Sequence, residues 1–103
     1  MAATTGVEVN VRSEVRRGAA LLDAYEPGWD ERIDITRLDI GYCDKCIVGQ
    51  LFESHGSWSY YDALRTLGID GDDERYGFDS HTESDDDTAK LTEEWRDLIA
   101  SRR

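Results

Sequence analysis

Basic side chains are scarce in this chain: 12 Lys and Arg face 23 Asp and Glu, leaving a formal charge of −11 over 103 residues. Binding to polyanions depends on Lys and Arg displacing counterions, so such a field repels phosphate backbones and anionic membrane surfaces. Direct nucleic-acid binding and membrane association are therefore not expected, and positively charged partners are favoured. Long apolar runs are also missing, none approaching the roughly 20 residues that span a bilayer. The opening Met1-Ala2-Ala3-Thr4-Thr5-Gly6 has no basic region followed by an apolar one, so no secretory signal is visible and a cytoplasmic location is expected. Cysteine is limited to Cys43 and Cys46, too close together for a secreted disulfide framework. A Gly-Lys-Ser/Thr phosphate loop and a Rossmann fingerprint are both lacking.

What is present is an uneven distribution of acid. Residues 70–87 carry nine acidic side chains against Arg75, a balance of −8, whereas residues 1–69 sum to −4 and residues 88–103 to +1. Three Trp, five Tyr and two Phe supply the large buriable surfaces that disordered chains lack, so a folded body is expected. The length suits one domain: a flexible stretch over residues 1–10, then a single helical domain over 11–103 in which 70–87 form an acidic connector.

The apolar pattern is helical. Val15, Ala19 and Leu22, widened by Leu21 and Tyr25, predict an amphipathic helix from about Ser13 to Tyr25, capped by Ser13 and stopped by Pro27-Gly28. Arg16 and Arg17 would then sit near its positive end, held by acids elsewhere or available to a partner. Trp29 to Ile40 mixes strand and helix spacings and reads as a short extended or single-turn segment, with Asp34 and Asp39 suited to start turns. A short buried helix is expected over about Asp44 to Phe52, with Cys43, Cys46, Ile47 and Leu51 on one stripe. Another carries Tyr60, Tyr61, Leu64 and Leu67 between a Ser59 cap and a Gly68 terminator. Ile69, Tyr76 and Phe78 would pin the acidic connector to the body. Leu91, Trp95, Leu98 and Ile99 define a last helix over about Thr88 to Ser101, preceded by Asp85 to Asp87 at its positive end. The fold expected is mainly α: a compact single domain of about four short helices with an acidic loop before the C-terminal helix, its core around Leu22, Ile47, Leu51, Leu64, Leu67, Trp95, Leu98 and Ile99.

Arg17-Gly18-Ala19-Ala20-Leu21-Leu22-Asp23, Pro27-Gly28-Trp29, Ile33-Asp34, Cys46-Ile47-Val48-Gly49-Gln50-Leu51-Phe52, Tyr76-Gly77-Phe78 and Leu91-Thr92-Glu93-Glu94-Trp95 follow one another in an order that resembles small acidic proteins of actinobacteriophages and actinobacterial prophages. The similarity spans about residues 15–100. It implies a phage accessory protein acting in the host cytoplasm and carries no activity with it.

Cys43-Asp44-Lys45-Cys46 has the spacing of a zinc or redox pair, but a closed zinc site needs two further ligands. His55 and His81, at intervals of eight and twenty-five intervening residues, match no compact finger. Small buried side chains are the expectation, with structural zinc and redox chemistry as alternatives. Asp70-Gly71-Asp72-Asp73-Glu74 departs from the EF-hand, placing Arg75 at the glycine position and His81 at the terminal glutamate position. His55, beside Ser54 and Ser57, has no orienting acid and reads as a turn residue. No metal site and no cofactor are predicted.

Trp58, Tyr60 and Tyr61 are too crowded to share one helical face: adjacent helical residues diverge by about 100°. Trp58 and Tyr61 therefore join Asp72, Asp73, Glu74, Asp85, Asp86 and Asp87 as candidate partner contacts. The function expected is that of a non-enzymatic protein-binding module engaging a basic partner surface, with a second copy of the chain also open as a partner. The alternatives are a DNA mimic that occupies the basic groove of a nucleic-acid-binding protein, and a small structural zinc protein.

Overall fold

The computed structural model describes residues 2–42, 44–52, 60–69, 71–80 and 84–103, with side chains from Val11 onward except those of Tyr60 and Tyr61. Among the described residues five α-helices follow in order, α1 (Ala2–Tyr25), α2 (Trp29–Arg32), α3 (Ile47–Phe52), α4 (Tyr60–Thr66) and α5 (Asp85–Arg102), with a 3-10 turn at Asp73–Tyr76 before the last. The protein is mainly helical, with no strand among the described residues and no described helix long and apolar enough to cross a membrane. Its radius of gyration, 13.0 Å, is that of one compact body of this length.

Two helices are long rather than short. The backbone of α1 is helical from Ala2, so Ser13 lies inside the helix and is not its cap, and Arg16 and Arg17 fall beyond its first turns. Helix α5 begins at Asp85, placing Asp85, Asp86 and Asp87 in its first turn rather than ahead of it. Ser84 accepts a hydrogen bond from the Asp87 amide, and three carboxylates then face the positive end of the macrodipole.

Val15, Ala19 and Leu22 from α1 and Leu91, Trp95 and Ile99 from α5 meet in the core, as expected from the 3.6-residue period; Leu98 lies at its margin, only half-buried. The centre is aromatic. Trp95, fully buried, stacks on Phe78 at 5.6 Å and 11° and meets Trp29 edge to face at 5.7 Å and 89°. Its indole N–H donates to the Gly77 carbonyl. Ile69 and Phe78 are buried and Tyr76 half-buried, so the large apolar residues of the acidic connector do hold it against α1 and α5.

Two glycines make this docking possible. Gly77, with φ +73°, ends the 3-10 turn: its amide reaches the Glu74 carbonyl at 3.2 Å and that of Phe78 the Asp73 carbonyl at 3.0 Å, the paired bonds of a Schellman stop. Gly18 lies on the face of α1 against which the Tyr76 carbonyl and the Trp95 ring are packed. A third glycine, Gly68, is the terminator expected for α4, with the Ile69 amide bonded to the Leu64 carbonyl at 3.0 Å.

Helix α3 starts later than the spacing suggests. Cys46 precedes it and caps it, its sulfur accepting from the Gly49 amide at 3.3 Å, and its thiol is buried against Ile47, Val48 and Leu51. Between α2 and α3 the chain is irregular. It is held by Gln50, whose amide oxygen accepts from the Asp34 N–H at 2.7 Å while its NH2 donates to the Lys45 carbonyl at 2.9 Å.

A candidate acidic cleft beside the C-terminal helix

The strap from Ile35 to Tyr42 is fastened to α5 by two side chains. The Arg96 guanidinium donates to the carbonyls of Ile35 and Leu38, each at 3.1 Å, and the Thr92 hydroxyl accepts from the Ile40 amide at 3.0 Å while donating to the Thr88 carbonyl at 2.9 Å. The connector, pinned by Phe78, runs along another side of the same helix. Strap, connector and the first turns of α5 thus enclose a cleft of about 1000 Å³.

Every wall of this cleft carries acid. Asp39 comes from the strap, Glu74 and Asp79 from the connector, and Asp85 and Glu93 from α5. The one basic side chain among the described lining residues, Arg96, is directed at the strap carbonyls. Carboxylates on low-dielectric concave walls focus their field, so the cleft concentrates cations more than the same charges on a convex surface. Tyr42 lines it too; the residue is 55% exposed, and the Lys45 ammonium lies over its ring, 4.8 Å from the centroid.

The structure divides the acidic residues expected to make contacts. Glu74 and Asp85 line the cleft, whereas Asp72, Asp73, Asp86 and Asp87 do not. Asp72 and Asp86 are exposed, and Asp73 and Asp87 half-buried. Trp58 and the Tyr61 side chain lie outside the described residues, as do Cys43, His55 and His81. Among the described residues no group of three or more His, Cys, Asp or Glu is placed to hold a metal ion. The cleft residues not anticipated from sequence, Asp39, Tyr42, Asp79 and Glu93, come from three separate segments, and no local spacing signals their convergence.

A second charged cluster lies at the other end of α5. Arg102 donates to both carboxylate oxygens of Asp23, at 2.9 and 3.1 Å, approaches Asp30 at 3.5 Å and places its guanidinium 5.4 Å from the centroid of the Trp29 ring. The Trp29 indole N–H also donates to Asp23 at 2.9 Å. The Arg102 hydrogen bonds, more than the weaker opposing effect of burial, hold the Asp23 carboxyl below its ordinary range; the same bonds raise Arg102. Arg103 closes the end of the domain by donating to the carbonyls of Asp30 and Ile33 at 2.7 and 2.6 Å.

Compared with protein-family models, curated proteins and solved structures, the chain matches none.

Proposed function

We propose that this chain is a non-enzymatic protein-binding module that engages a basic surface of its partner through the acidic face formed by the connector and the start of α5. The observation that carries this reading is the convergence of carboxylates from the strap, the connector and α5 on one cleft, with Arg96, the one basic side chain among its described lining residues, turned to backbone carbonyls. The charge needed to attract a basic partner is therefore concentrated and shaped rather than spread over the surface. The resemblance to small actinobacteriophage proteins is compatible with an accessory role and a host protein as the partner.

Affinity capture from an actinobacterial lysate, followed by salt titration of the recovered complex, tests the proposal. Association should weaken as salt rises from about 0.05 to 0.5 M, because the screening length contracts about threefold. Neutralising Asp72, Asp73 and Glu74 together should slow association while leaving the circular dichroism unchanged. A partner indifferent to both salt and these substitutions would be bound elsewhere. If the partner binds nucleic acid, mutual exclusion with its DNA or RNA would identify the contact as mimicry of a phosphate backbone.

A further inference from the structure

We infer that the strap from Ile35 to Tyr42 is a hinged flap that swings off α5 as a unit, with Gln50 of α3 as its hinge and Arg96 and Thr92 of α5 as its latch. The two sets of contacts lie on different helices. Gln50 holds the chain on either side of the strap, accepting from the Asp34 amide at 2.7 Å and donating to the Asp34 and Lys45 carbonyls at 3.2 and 2.9 Å. The Asp39 amide reaches the same Lys45 carbonyl at 3.2 Å, so the neck of the loop is drawn together without help from α5. An irregular segment whose ends are held close in this way has the architecture of an Ω-loop.

Short local turns keep the strap in shape. The Asp34 carboxylate accepts from the Thr36 amide and hydroxyl at 3.0 and 2.6 Å, the Asp39 carboxylate accepts from the Gly41 amide at 2.9 Å, and the Tyr42 amide reaches the Asp39 carbonyl at 3.2 Å. These bonds travel with the strap when it moves. The latch bonds do not: Arg96 donates to the Ile35 and Leu38 carbonyls, and Thr92 accepts from the Ile40 amide. Lifting the strap hands each of these backbone groups, and the guanidinium, to water, which replaces the bonds at small net cost. What keeps the flap shut is apolar: Leu38 and Ile40, 3% and 5% exposed, would be uncovered. The open form is therefore a minor state reached by local opening rather than by global unfolding. Asp39 and Tyr42 ride on the strap, whereas Glu74, Asp79 and Asp85 do not, so opening carries away one wall of the cleft. The latch thus sets whether the cleft is whole, whatever occupies it.

Amide hydrogen exchange of the full chain, followed residue by residue by NMR, tests the device. In the wild type, exchange at Ile40 should be nearly independent of urea below the unfolding midpoint, whereas the Leu22 amide inside α1 should follow global unfolding. Arg96→Met keeps the aliphatic stem and removes the fork. It should speed exchange at Ile40 about ten- to a hundredfold, as expected when hydrogen bonds from a charged donor are lost, while Asp34 at the hinge and Tyr42 inside the strap keep their wild-type rates. Arg96→Lys, which retains the charge without the planar fork, should fall between the two. Gln50→Ala should instead speed Asp34 and Ile40 together.

Joint acceleration of Ile40, Asp34 and Tyr42 in Arg96→Met would mean that the strap melts in place and would overturn the hinge. An unchanged Ile40 rate in that variant would overturn the latch. Should Arg96→Met fail to fold, the wild type decides: Ile40 exchange that tracks Leu22 through the urea series would leave no separately opening flap, and Ile40 exchange that stays flat while Leu22 rises would uphold it.

Discussion

Gly18→Ala should destabilise this protein, although the same substitution in the interior of an ordinary helix stabilises by about 1 kcal/mol. A Cβ at position 18 would overlap the Tyr76 carbonyl oxygen and lie 3.0 Å from two carbons of the Trp95 ring. Neither neighbour can yield cheaply. The Tyr76 carbonyl belongs to a 3-10 turn closed by the Gly77 and Phe78 amides, and the Trp95 ring is held between Phe78 and Trp29. Forcing a methyl into a packed site costs about 1–3 kcal/mol, and a clash with backbone belongs at the top of that range. After the gain in helix propensity, a net loss of about 2 kcal/mol remains, a sizeable part of the roughly 5–15 kcal/mol that stabilises a domain. Urea denaturation followed by far-UV circular dichroism measures it, with an unchanged m-value to show that the unfolded state is not responsible. Ala20→Gly, at an exposed position of the same helix, calibrates propensity alone and should cost about 0.8–1.0 kcal/mol. A neutral or stabilising Gly18→Ala beside a normal Ala20→Gly would show that α1 is not pressed against the connector and would refute the packing described above.

Trp95→Ala should cost about 3–5 kcal/mol, near the upper end because it also leaves the Gly77 carbonyl without its indole donor; Trp95→Phe, which keeps an aromatic ring against Phe78, should cost less, and the opposite order in chemical denaturation would contradict the stacking. Asp23 has a depressed pKa in the folded state, so its contribution is complete above its unfolded value near 3.8 and is lost as pH falls through the folded value. Asp23→Asn should therefore lower stability at pH 7 by no more than about 1 kcal/mol, since the pair is partly exposed, and the difference from wild type should vanish in strong acid; a difference that persists there would have another cause. Cys46→Ala should cost about 1–2 kcal/mol through its lost cap and packing, with the fold insensitive to chelators; stoichiometric zinc in the purified protein, lost together with the fold on chelation, would replace this reading with a structural zinc site.

Local signals determined the helical class because periodicity, stops and caps act over a few residues. Val15, Ala19 and Leu22 had to share a face, Pro27-Gly28 had to end α1, Gly68 had to end α4, and Leu91, Trp95 and Ile99 had to turn inward together. The same local reading misplaced the start of α1, since Ser13 has the chemistry of a cap whether or not helix continues upstream of it. It also began α5 three residues late, because Asp85 to Asp87 suit the position before a helix and its first turn equally well. The −8 charge of residues 70–87 was visible as composition, but its shape was not. Only tertiary structure decided that Asp39, Tyr42 and Glu93 join Glu74, Asp79 and Asp85 around one cleft, and that Arg96 is spent on the strap 58 and 61 residues away. Such contacts follow from how α1, the connector and α5 pack around Trp95, a condition on distant residues that no local spacing encodes.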